Sequence, residues 1–142
     1  MERRDFIRLS VTGIGAGIVA PSTVTAESAA PASATRDIYY TKEAPGRWAA
    51  KVATHLPNIE VKKAGGKVTV SITTAHEMNG YEHYIVKHVL LDKDYHFIDE
   101  KLFNPTQDKT AISSYTLENY SGPVYALSMC NKHDLWLNSA TV

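Results

Sequence analysis

From Trp48 onward, apolar and polar residues alternate in short runs. In GGKVTVSITTA, the pair Gly65-Gly66 opens a run that sets Val68, Val70 and Ile72 against Thr69 and Ser71. That period of two marks a strand buried on one face. EHYIVKHVLLD alternates too, with Tyr84, Val86, His88 and Leu90 on one side and His83, Ile85, Lys87, Val89 and Leu91 on the other. YHFIDEKLF, AISSYTL and PVYALSMC follow, set apart by LDKD, NPTQDK and ENYSG, and LWLNSATV closes the series. No stretch keeps a helical period over three turns. Strands about every ten residues, joined by turns, predict an all-β fold, an antiparallel β-sandwich with its loops gathered at the two ends. Without helices, and with neither glycine signature present, phosphate-cradling loops of the nucleotide-binding folds are not expected.

The first 34 residues follow other rules. MERRDFIRLS carries Arg3 and Arg4 side by side, VTGIGAGIVA is a short apolar run, and PSTVTAESAAPASATR is built of small residues, with Ala32-Ser33-Ala34 a cleavage-like end. A basic start, a short apolar centre and a small-residue end make a signal peptide. The paired arginines before Asp5-Phe6-Ile7 point to the twin-arginine route. The expectation is an exported, periplasmic protein in preference to one anchored by an uncleaved signal, with residues 35–142 as one small domain. That route carries proteins already folded, often around a cofactor.

Charge and cysteine content narrow the chemistry. Formal net charge is zero, so there is no electrostatic footprint for nucleic acid or an anionic membrane. A single cysteine, Cys130, excludes an intramolecular disulfide, and a lone thiol in an exported protein needs a role. Of the six histidines, His55, His76, His83 and His133 fall in loops or at strand ends, whereas His88 and His96 sit inside strand patterns. His88 and His96 are expected at strand surfaces, His88 at most beside a site. Pro57 follows His55 closely and forces extended geometry on its neighbour. Cys130 precedes His133 by three residues in YALSMCNKHDLW.

A Cys/His nucleophile is disfavoured, because no predicted helix N-terminus follows Cys130 to lower its pKa. Four loop histidines and one cysteine suit a metal: imidazole accepts iron, copper, zinc or nickel, and thiolate favours the softer or redox-active ones. One metal reading is a blue-copper, electron-transfer sandwich with two histidines and a cysteine. It lacks an axial methionine after His133, and Met129 alternates away from Cys130.

Three segments together resemble one family. SMCNKHDLW is similar to the C-N-x-H-G-x-W signature of superoxide reductases, the iron domain of neelaredoxin and desulfoferrodoxin. HEMNGYEHYI and THLPNIE resemble that family's H-P-x-x-x-x-H and E-K-H-V-P-x-I stretches, in family order. The resemblance spans residues 48–137. It implies an immunoglobulin-like β-sandwich holding one mononuclear iron, Fe(2+)/Fe(3+), with His55, His76, His83 and His133 equatorial and the Cys130 thiolate axial. It further implies one-electron reduction of superoxide to hydrogen peroxide, and re-reduction by an external donor such as a rubredoxin-like protein or a cytochrome. A homo-oligomer is compatible with it. Ala53-Thr54 stand where the family pattern has Glu-Lys, which leaves Lys51 as the nearby positive charge in a catalytic role; Asp134 stands where it has glycine, and the interval from His76 to His83 is one residue longer, with Gly80 placed to absorb it. Trp136 is expected to pack beneath the metal loop.

Overall fold

The computed structural model describes residues 37–142. The expected signal segment lies outside them. A 3-10 turn (Gly46–Lys51) runs into a single α-helical turn, α1 (Val52–His55). Seven strands follow: β1 (Asn58–Ala64), β2 (Lys67–Thr74), β3 (Ile85–Leu91), β4 (Phe97–Leu102), β5 (Ala111–Glu118), β6 (Pro123–Cys130) and β7 (Asp134–Thr141). They form a three-stranded sheet, β1-β2-β5, and a four-stranded sheet, β4-β3-β6-β7, with every pairing antiparallel. The fold is the expected β-sandwich. No helix among the described residues is long and apolar enough to cross a membrane.

The alternating residues do what their period demands. Val68, Val70 and Ile72 of β2 face Leu90, Val124 and Ala126 of the other sheet, and together with Tyr115 they form the main core. Burying such side chains contributes about 1.5–3 kcal/mol each. The turn between β1 and β2 holds Gly65 at φ 63, a left-handed conformation that glycine adopts without strain. β1 carries little sequence signal, since only Ile59 and Val61 are apolar contributors to the core from a charged edge strand.

One expectation fails. Ile85 pairs with Cys130 but Lys87 with Met129, so Val86 is an extra residue in a β-bulge. The bulge resets the alternation, and Ile85 and His88 both point inward. His88 is therefore a fully buried core residue and not a surface one. Its Nε2 is 2.9 Å from Thr74 Oγ1 and its Nδ1 2.8 Å from Ser113 Oγ, and Thr74 Oγ1 reaches Ser128 Oγ at 2.8 Å. Phe103 closes over the ring edge-on at 4.9 Å. This polar group ties three strands of the core to β3 with its hydrogen bonds satisfied.

Burial, aided by the nearby Lys101, pushes the His88 pKa down to about 4. An unfolded histidine takes its proton near pH 6.5, so between those values the unfolded chain binds more protons and stability rises with pH. We expect His88 to remove up to about 3 kcal/mol as pH falls from 6.5 towards 4. The check is urea denaturation at several pH values. His88→Gln keeps hydrogen-bonding capacity without titrating, so the gap between the two stability curves must change over that window.

Candidate metal centre

Three separate segments bring their donors to one end of the sandwich. Pro57 holds Leu56 extended at φ -66, ψ 125, which ends α1 at His55. His55 is 2% exposed, and its Nδ1–H is shared between the Lys51 carbonyl at 3.1 Å and Thr54 Oγ1 at 2.8 Å. That leaves the Nε2 lone pair facing inward. Residues 75–84, crossing from one sheet to the other, carry the next two donors. His76 donates Nδ1–H to the Glu77 carbonyl, again freeing Nε2. His83 forms a backbone bridge with Asn79 around the 3-10 turn Gly80–Glu82, where Gly80 sits at φ 55. This turn absorbs the longer interval between the two histidines. Finally, β6 and β7 pair Cys130 with Asp134, so residues 131–133 close a tight hairpin that presents both Cys130 and His133.

The donor atoms of His55, His76, His83, Cys130 and His133 all lie within 4.8 Å of one another. Around the ring, His55 Nε2 is 3.0 Å from His133 Nδ1, which is 3.1 Å from His83 Nε2, which is 3.0 Å from His76 Nε2. Ring centroids repeat the pattern: 4.5, 4.7, 4.4 and 4.9 Å along the edges, but 6.2 Å from His55 across to His83. Four imidazoles thus stand at the corners of a square. Cys130 Sγ lies 3.7 Å from His76 Nε2 and 3.6 Å from His133 Nδ1.

These residues fit a metal. With metal–nitrogen bonds of about 2.1 Å, adjacent donors stand about 3.0 Å apart in a square arrangement and about 3.4 Å apart in a tetrahedron. The observed spacing matches the square. A blue-copper set of two histidines and a cysteine does not account for four converging imidazoles. Burial lowers the pKa of His55 to about 4, with the neighbouring imidazoles pushing the same way. Burial also lowers His76, His83 and His133, the last two helped by neighbouring positive charge. All four are held as neutral ligands near pH 7.

A cavity of about 220 Å³ opens on the imidazole cluster, lined by Lys51, Thr54, Glu77 and three of the histidines. Lys51 lies one turn before His55, so its carbonyl holds the ring while its side chain reaches the cavity wall. Ala53 and Thr54 are exposed, and Ala53 is not among the residues lining this cavity. A second cavity, of about 410 Å³, is lined by Cys130 together with Ile38, Arg47, Met129 and Leu135.

The sequence matches the Desulfoferrodoxin family model over residues 47–139. The chain belongs to the desulfoferrodoxin family. Superoxide reductase (neelaredoxin) from Ignicoccus hospitalis is 27% identical and superposes with a TM-score of 0.62 over 74% of this chain and 94% of its own. A variant of the neelaredoxin from Archaeoglobus fulgidus, in the reduced form, is 26% identical over 66% and 91%, with a TM-score of 0.56. A superoxide reductase in the oxidised state is 29% identical over 62% and 87%, with a TM-score of 0.52. No curated protein matches the sequence.

As a desulfoferrodoxin-family domain, this one braces its ligand loops with residues that the sequence motifs only partly disclose. Asn131 Oδ1 accepts the Tyr84 N–H at 3.0 Å, and its Nδ2 donates to the carbonyls of Tyr81 and Glu82 at 3.3 and 3.0 Å. It staples the hairpin of Cys130 and His133 to the loop of His83. Trp136 is buried beneath the hairpin and donates Nε1–H to the His133 carbonyl at 2.9 Å. Arg47 and Trp48 carry no sequence signal of a role. Trp48 meets the His133 ring edge-on at 4.7 Å and donates Nε1–H to Asp134 Oδ2 at 2.9 Å, while Arg47 donates to the same oxygen at 2.5 Å. The Trp48 N–H and the Arg47 guanidinium hold the Asp134 carboxyl below the usual carboxylate range.

Asp134 sits at φ 65, which explains the glycine of the family signature. Glycine takes this conformation freely, whereas Asp is kept here by the side-chain partners it gains. Two substitutions separate the effects. Asp134→Gly exchanges the Trp48 hydrogen bond for backbone ease, and its stability should stay within about 1 kcal/mol of the parent. Asp134→Ala loses the bond and keeps the strain, so urea denaturation should show it about 2 kcal/mol less stable. Equal losses in the two variants would refute the backbone explanation.

Proposed function

We propose that this protein is a superoxide reductase: it adds one electron and two protons to superoxide, forming hydrogen peroxide, at a mononuclear iron held by His55, His76, His83, His133 and Cys130. The square of four neutral imidazoles with a thiol beside it carries this reading, supported by membership of the family and by neighbours named as superoxide reductases. The iron, when bound, supplies the electron, and a thiolate ligand raises its electron density to favour that transfer.

The chain's own residues prepare the site. The carbonyls of Lys51 and Glu77 fix His55 and His76 in the tautomer that turns Nε2 inward. Four neutral rings and one thiolate leave a divalent ion with net positive charge, and Lys51 adds to the positive field at the cavity mouth. That field draws in a small anion, and the open cavity admits the two protons from solvent. An external one-electron donor, a rubredoxin-like protein or a cytochrome, completes the cycle, because a single metal holds one electron at a time. The signal-like pattern of residues 1–34 supports export by the twin-arginine route, and with it a periplasmic setting for this chemistry.

Metal analysis and pulse kinetics of the reduced protein test this directly. One iron per chain and a fast second-order reaction with superoxide are expected; stoichiometric copper, or iron inert to superoxide, would refute it. Lys51→Glu should lower the second-order rate by about 10-fold at low ionic strength, and the deficit should shrink with added salt. A rate insensitive to that change would remove Lys51 from the mechanism.

A further inference from the structure

Two buried aromatic rings lead from the imidazole cluster to the surface. Trp136 and Tyr40 are both fully buried. The Trp136 ring lies 6.0 Å from the His55 ring, centroid to centroid, and its Nε1–H is held by the His133 carbonyl. The Tyr40 ring follows, 5.7 Å from Trp136. Both separations are those of aromatic rings in contact. Backbone bonds fix Tyr40 in place: its N–H donates to the Leu135 carbonyl at 2.9 Å, and its carbonyl accepts from the Leu137 N–H at 2.8 Å, a parallel bridge onto β7. The Tyr40 hydroxyl accepts a hydrogen bond from Arg47 Nε at 3.1 Å, and the Arg47 side chain is largely exposed. Tyr40 lies outside residues 47–139, so the family match does not account for it. Aliphatic side chains could fill the same volume, but indole and phenol also yield an electron readily. Trp48 meets a ligand ring too, yet the Arg47 guanidinium stands 4.7 Å over it and opposes positive charge on that indole. The carbonyl on Trp136 Nε1 favours such a charge.

We propose that Trp136 and Tyr40 form a relay that carries oxidising equivalents away from the metal centre to the surface at Arg47. The relay rests on the superoxide reductase reading, which makes hydrogen peroxide at this site. Peroxide that returns to the reduced centre takes up two electrons and two protons and leaves as two waters. The centre holds one of those electrons. Trp136 yields the other, and Tyr40 refills Trp136. Tyr40 releases its phenolic proton to solvent beside Arg47 and is left as a neutral tyrosyl radical. The net uptake from solvent is therefore one proton. The external one-electron donor that serves the centre then reduces the radical, and the hydroxyl regains its proton. Without the relay, the second electron comes from the Cys130 thiolate, which climbs towards sulfinic and sulfonic acid. The chain has no second thiol to trap the first oxidation product as a disulfide, so that damage is not reversed within the molecule.

Hydrogen peroxide added to the reduced, iron-loaded full chain, followed by rapid freezing and EPR, tests the relay. A tyrosyl signal is expected, and its splitting should collapse when the tyrosines carry ring deuterium. Tyr40→Phe keeps the ring and loses only the hydroxyl, so iron content and the visible spectrum should match the parent. The tyrosyl signal should vanish in that variant, and mass spectrometry should find Cys130 sulfinic acid forming several-fold sooner. Tyr95→Phe, beyond the far end of β3, should change neither result. A tyrosyl signal that survives Tyr40→Phe overturns the relay and leaves the superoxide reaction standing. So does a parent whose iron is oxidised with no protein radical. Equal rates of Cys130 oxidation in the parent and Tyr40→Phe overturn the protective role. A chain that binds no iron overturns both the relay and the superoxide reductase reading, and metal analysis before peroxide is added identifies that case.

Discussion

Serine in place of Cys130 is expected to erase the visible absorption of the oxidised protein and to slow superoxide reduction by roughly 100-fold or more. The chain has no other thiol, so a blue thiolate-to-iron charge-transfer band has no other source. Serine keeps an oxygen near the two ring nitrogens now 3.6 and 3.7 Å from Sγ, but its hydroxyl stays protonated and cannot donate electron density as thiolate does. Losing partners that merely orient a ligand costs about 10–100-fold in affinity or activity, and a direct ligand stands above that range. The four imidazoles remain, so the variant should still take up iron. Oxidation with ferricyanide, followed by a visible spectrum, reads the result. A band that persists would place the sulfur outside the coordination sphere.

Removing the metal should lower the melting temperature by roughly 15–30 °C. Four inward-facing nitrogens crowd at about 3.0 Å with their outer N–H groups engaged, at least in His55 and His76. Without a cation between them, the lone pairs oppose one another. The three segments that carry them would otherwise be joined by a few hydrogen bonds, chiefly those of Asn131. An ion present at about 1,000 times its dissociation constant stabilises the folded state by about 4 kcal/mol, which for a domain of this size converts to that temperature range. Calorimetry before and after chelation measures it. An unchanged melting temperature would favour a metal-free interaction module and undercut the iron centre, whatever the spectrum shows.

Legibility in the sequence followed the range of the interactions. The strands that alternate cleanly, β2, β5 and β6, can be read because a period of two depends only on neighbours along the chain. The one-turn helix ending at His55 and the charged edge strand β1 are too short or too polar to leave a period. His88 escapes the pattern for a related reason: the bulge at Val86 is a property of the pairing of β3 with β6, and it reverses the face of each residue after it.

At the metal centre the sequence by itself determined which donors exist, because residue type decides what can bind a metal, and the short spacing of Cys130 and His133 is closed by one hairpin. Pro57 and Gly80 likewise act through local backbone restriction, as their residue types require. Only the tertiary structure decided the rest. It set four imidazoles from three segments into a square, turned Lys51 towards the open cavity, and placed Arg47 and Trp48 on the carboxylate of Asp134, 86 residues from Trp48. Contacts of that range depend on how two sheets pack and which edges meet, and no pattern confined to neighbouring residues encodes them.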